Sequence, residues 1–152
     1  MLRKIRRTKD AKTAGVIRVV LGLLFLATGS MKLLVPMLWS AWSGQLTQAN
    51  IPFYTLNLWF VPVAEMLTGV ILLAGFFTRV GSLVVIFMMM VATYVHLVVD
   101  DPTLFPLQPD QPIIPLVALA MGVYLLWRGG GAWSLDVKSA AGTSRSRCSS
   151  IT

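Results

Sequence analysis

The chain has 152 residues, 56% of them hydrophobic and only 12% charged, with a formal net charge of +7. Soluble domains carry about 25% charged residues, so this composition, with a mean hydropathy of +0.74, describes one domain built largely of membrane spans. The basic excess is local: seven of the thirteen Lys and Arg lie in residues 1–18 beside an apolar run. This is the pattern of a cytoplasmic anchor near anionic lipid, and it excludes a nucleic-acid binder, because no soluble domain is left to do that work.

The first apolar run extends from about Ala14 to Leu34, "AGVIRVVLGLLFLATGSMKLL". A helix rises about 1.5 Å per residue, so about twenty residues cross the ~30 Å hydrocarbon core. No small-residue cleavage site follows the run cleanly, so it reads as a retained span and not a signal peptide. Arg18, Gly22, Gly29 and Lys32 fall on one face of this helix. Glycines mark close helix approach, so that face points into a bundle. Lys32 either pairs there with a carboxylate, Glu65, or snorkels to the headgroups.

In the following loop, Leu38, Trp39, Trp42 and Leu46 recur at helical spacing. They predict a short amphipathic helix on the outer leaflet. The second run, about Leu56 to Phe77, contains "FVPVAEMLTGVILLAGFF" with a single charge, Glu65. Pro62 either lies within this helix or opens its first turn. At either depth an unpaired charge costs several kcal/mol, so Glu65 is a helix-stitching carboxyl or a proton-handling or ligand-binding one. Gly69 shares its face, and Gly75 follows near the end of the run.

Arg79 is the charge of the short turn "TRVG". The third run, about Val80 to Val99, holds Met88, Met89 and Met90, which point in three directions on a helix and cannot converge on one copper ion. His96, the single histidine, cannot supply bis-histidine haem ligation, and no metal site is predicted. It is either an interfacial hydrogen-bonding residue or the third member of a polar cluster with Lys32 and Glu65. The fourth run, about Ile113 to Trp127, is short but reaches across a thin core with Trp127 and Trp133 at the interface. "GGGAWSLD" then stops the helix, and Asp136 is placed to neutralise Arg18 or Arg79. Residues 138–152 are polar and are expected to be disordered. They include Cys148, the one cysteine, which allows neither an internal disulfide nor a C-x-x-C centre.

Lys and Arg are absent from the two loops that follow the first and third runs. The positive-inside rule therefore puts both termini in the cytoplasm and Asp100, Asp101 and Asp110 outside, with Lys32 the one basic residue that does not fit. The expected fold is an all-α membrane protein. It has a four-transmembrane-helix bundle and a short amphipathic outer-face helix between helices 1 and 2. The expected organisation is a basic tail at 1–13, a membrane domain at 14–137 and a tail at 138–152.

Five segments carry a resemblance to a known family: "RVVLGLLFLATGSMKL", "NIP", "AEMLTGVILLAGFFTRVG", "VATYVH" and "GGAWSLD". In this order they resemble the DoxX family of bacterial membrane proteins over about Arg18 to Asp136. The resemblance implies four helices with both termini inside, and Arg18, Gly22, Gly29, Lys32, Glu65, Gly69, Gly75, Arg79, His96, Ser134 and Asp136 sit at family-like positions. It also implies inner-membrane localisation and a redox association. Some relatives are membrane subunits of quinone-linked oxidoreductases, some join oxidative-stress or thiol-redox complexes, and others serve maturation of periplasmic enzymes.

On this basis the expected function is the membrane subunit of a redox complex, with quinone as the implied small molecule. Lys32, Glu65 and His96 are the candidate catalytic or proton-relay residues. Electrons must come from a membrane or periplasmic partner, since the chain has no ligand set for its own redox centre. The alternative is a non-catalytic scaffold or maturation factor that recruits a periplasmic protein.

Overall fold

The computed structural model describes residues 11–109 and 111–136. The basic cluster before Ala11, Asp110 and the tail beyond Asp136 lie outside the described residues. Among the described residues, five α-helices follow in order: α1 (Lys12–Leu34), α2 (Pro36–Gln48), α3 (Tyr54–Ala74), α4 (Thr78–Val98) and α5 (Ile113–Arg128). One 3-10 turn, Pro102–Leu104, lies between α4 and α5, and no strand is present among the described residues. Helices α1, α3 and α4 are long and apolar enough to cross a membrane, and α5 is a shorter apolar helix. Their outward faces carry Leu23, Leu67, Phe87 and Val117, all exposed. So much exposed apolar surface belongs in lipid, which makes this a helical membrane protein.

The breaks between helices have local causes. Val35 is extended and Pro36 opens α2, as expected for a residue preceding proline and for proline in a first turn. Helix α3 stops at Gly75, whose φ of +65° closes the last turn with its N–H on the Ile71 and Leu72 carbonyls. Pro62 lies within α3, eight residues after its start at Tyr54, and so does not open it. The lost N–H leaves the Leu58 carbonyl without a helical donor.

Two helix pairs make up the bundle, α1 with α3 and α4 with α5. On α3 the buried residues Pro62, Glu65, Gly69 and Leu72 recur every three or four positions, one inward face. The matching face of α1 carries Arg18, Leu21, Gly22, Phe25 and Gly29. The two backbones almost touch at Gly22 and Gly69: a Cβ on Gly69 would lie 2.7 Å from the Leu26 nitrogen and 2.8 Å from the Gly22 carbonyl oxygen. Leu21, Phe25, Leu72, Val85 and Leu125 form the core between the pairs. In the methionine run, Met89 is buried and Met90 exposed, as side chains on a helix must diverge.

Helices α1 and α3 run antiparallel, so their polar residues fall at two ends. Arg18 and the α3–α4 turn lie at one, the basic end. Lys32, the start of α3 and helix α2 lie at the other.

Candidate functional site

At the α2 end, Lys32 Nζ lies 2.6 Å from Glu65 Oε1. The register follows from the glycine face: α1 comes close to α3 there, and Lys32 is one turn beyond Gly29. Glu65 is buried, while the Lys32 side chain keeps about a fifth of its surface exposed. A charge-assisted hydrogen bond offsets part of the cost of removing both charges from water. The second carboxylate oxygen, Oε2, is buried and has no hydrogen-bond partner. The pair is therefore incompletely satisfied, with one acceptor open to a proton or a donor.

Trp42 of α2 closes this site. Its ring face lies under Lys32, 4.6 Å from Nζ to the centroid, and its Nε1–H donates to the Leu58 carbonyl at 3.3 Å. That carbonyl is the one Pro62 leaves without a donor. The sequence marked Trp42 only as an amphipathic position. The signal for its second role was the four-residue spacing between Leu58 and Pro62.

His96 makes its contacts elsewhere. On the last turn of α4, its Nε2 is 2.8 Å from Gln108 Oε1, and its ring stacks on Phe105 with centroids 4.1 Å apart. With an amide oxygen opposite, Nε2 carries the proton. Nδ1 is buried without a partner. A cavity of about 280 Å³ is lined by His96, Val99, Asp100, Pro102 and Phe105. Of the three residues expected to cluster, two are in contact, and His96 is bonded to the loop after α4. Gln108 had no signal in the sequence. Among the described residues, no group of three His, Cys, Asp or Glu side chains is placed to hold a metal.

At the basic end the polar residues terminate helices. The Arg18 guanidinium donates through Nη1 to the Leu72 and Leu73 carbonyls, the latter at 2.8 Å, and through Nε to the Gly130 carbonyl at 2.9 Å. It thus meets carbonyls of the last turn of α3, where a cation also complements the helix dipole. Asp136 does the reverse for α4. Its carboxylate accepts from the Phe77 and Thr78 N–H groups at 3.2 and 3.1 Å and from the Thr78 hydroxyl at 3.3 Å. Asp136 also attracts Arg18 electrostatically, whereas Arg79 Nη2 donates to the Trp127 carbonyl at 3.3 Å. Thr78 was not singled out in the sequence, where nothing links it to a residue 58 positions away. Gly75 lies inside this knot: a Cβ there would be 2.6 Å from Ser134 Cβ and 2.7 Å from Arg18 Nη1.

The family model described as DoxX matches residues 14–97, more than half the chain. The chain belongs to the DoxX family. In this DoxX protein the match takes in Arg18, Lys32, Glu65 and His96 and ends before α5 and Asp136. No curated protein and no solved structure matches it.

Proposed function

We propose that this DoxX protein spans the bacterial inner membrane four times, with both termini cytoplasmic, and is the membrane subunit of a quinone-linked or thiol-redox complex. The observation that carries the reading is the Lys32–Glu65 pair between two apolar helices, with Oε2 of Glu65 unpartnered. Ionisable groups at such positions are functional by default. Reducing a quinone takes two electrons and two protons. On this reading the electrons come from a partner protein and the protons pass the carboxyl of Glu65. Lys32 Nζ, with its remaining N–H groups, suits a quinone carbonyl, and Glu65 suits the proton that follows. His96 lies beside a separate cavity and serves as a second proton-exchanging group on the same side.

The test is to purify the protein in mild detergent, extract it with organic solvent and assay for quinone. Stoichiometric quinone that falls in Glu65→Gln supports the reading. A preparation without quinone, from cells whose quinone-linked respiration is unchanged by deleting the gene, supports the scaffold instead. For the topology, alkaline phosphatase fused near Gln48 should be active and near Arg79 inactive.

A further inference from the structure

Helix α2 carries no charged side chain, and α3 carries none but Glu65. From α2, an uncharged ring, that of Trp42, meets the ion pair. Three facts meet on it. Pro62 strips the Leu58 carbonyl of its helical donor, and the indole N–H replaces that donor. The same ring holds the Lys32 ammonium against its face. Lys32 in turn holds Oε1 of Glu65, one turn of α3 beyond Pro62, and leaves Oε2 open. Trp42 itself is buried.

We infer that Trp42 is a positioning residue for the Glu65 carboxyl: it fixes Lys32 against Glu65 and couples the seating of α2 to the readiness of that carboxyl to take a proton. This rests on the reading of Glu65 as a proton-handling group. The physical basis is that the ring face attracts a cation and has no such attraction for a neutral group. While the ring is in place, Lys32 is held over Glu65 and donates to its Oε1. If α2 tilts away, Lys32 loses the ring and is free to swing toward water along its flexible stem. Glu65 then loses its hydrogen-bond donor, and both carboxylate oxygens are open. The indole thus links the seating of α2 to the site, so that a protein docked on α2 acts on the ion pair through it.

Dicyclohexylcarbodiimide tests this on the full chain in lipid vesicles. It reacts with a protonated carboxyl. The acid proton passes to one carbodiimide nitrogen, the carboxylate oxygen bonds the central carbon, and the resulting O-acylurea rearranges to a stable N-acylurea that mass spectrometry locates. Wild-type Glu65 should label slowly. Trp42→Leu should raise the labelling rate about fivefold, roughly the factor that one cation–π contact is worth, with labelling of Asp136 unchanged. Trp42→Phe keeps a ring face and should stay within about twofold of wild type. Lys32→Met should label fast, and adding Trp42→Leu to it should change nothing further. Trp42→Met replaces Trp42→Leu should the latter fail to accumulate. Equal Glu65 labelling in wild type and Trp42→Leu overturns the inference while leaving Glu65 a proton-binding group. A further rise on adding Trp42→Leu to Lys32→Met also overturns it, because Trp42 would then be acting only as a cover. No labelling in any variant, Lys32→Met included, removes the proton-handling reading and the inference with it.

Discussion

The two ends of the bundle use charge in opposite ways. At the basic end, Arg18 and Asp136 make most of their hydrogen bonds to backbone groups, chiefly the closing carbonyls of α3 and the opening N–H groups of α4. The charges are buried, and their partners are groups whose positions the helices themselves fix. At the α2 end, Lys32 and Glu65 meet side chain to side chain, and one carboxylate oxygen is left over. A charge that caps a helix end is part of the fold. A charge pair with a spare acceptor, in a segment that could have been wholly apolar, adds little that leucine would not, and its presence calls for a chemical reason.

The comparison breaks if the basic end proves dispensable. Arg18→Leu should be the most damaging single change. It leaves the Leu72, Leu73 and Gly130 carbonyls and the Asp136 carboxylate without their cation, and should cost about 3–5 kcal/mol. Thermal unfolding in detergent should show a protein that melts far below wild type or fails to accumulate. An unchanged melting temperature would mean that water reaches this end and satisfies the same groups.

Gly69→Ala should come next, at about 1–3 kcal/mol. The added methyl would meet backbone atoms of α1 at 2.7 and 2.8 Å, and backbone cannot rotate away. Helices α1 and α3 must then part, and Lys32 and Glu65 part with them. The same melting experiment measures the loss, and on the proposed reading quinone-linked activity should fall beyond what the lost stability explains.

Glu65→Gln separates structure from chemistry. It keeps shape and hydrogen bonding but removes the charge and the proton. Lys32 is partly exposed and still has the Trp42 ring. The stability cost should therefore be about 1–2 kcal/mol, below that of Arg18→Leu, and Lys32→Met in the same chain should restore part of it. On the proposed reading, quinone-linked activity should be largely lost in both. A fully active Glu65→Gln would reduce the pair to a helix stitch and make the two ends alike.

Much of this was legible in the sequence, for physical reasons. Apolar runs of about twenty residues have one economical fate, a membrane helix, so α1, α3 and α4 could be read directly. The glycine face of α1 pointed to a close neighbour, and Lys32 and Glu65 stood out because charge is rare in such segments. Contacts that depend on loops were not legible. Nothing periodic relates Asp136 to Phe77 and Thr78, or His96 to Gln108, because the chain between them turns through irregular backbone. The depth of Pro62 also stayed open, since proline is tolerated both in a first turn and within a membrane helix when something else meets the freed carbonyl. Trp42 meets it here, and only the packing of α2 shows that.

The smallest effect should come from Asp101, beside the cavity at the α2 end. It is partly exposed and begins the 3-10 turn. The Thr103 hydroxyl and backbone N–H donate to its carboxylate at 2.6 and 2.9 Å, and these bonds hold its pKa below the ordinary 3.8. The hydroxyl bond is the larger cause, and a weaker one comes from Gln48 of α2. A carboxyl that is more acidic folded than unfolded stabilises the fold above its unfolded pKa. That contribution begins to fade as pH falls toward 3.8 and is gone once pH passes below the depressed folded value. Hydrogen exchange across residues 101–105 should therefore be flat from neutral pH down to mild acid, once corrected for intrinsic rates. It should rise only in that acidic window. Asp101→Asn should show the acid-state exchange at every pH, and Thr103→Val should move the onset upward toward 3.8. Exchange that instead changes near neutral pH would show that a group other than Asp101 governs this edge of the cavity.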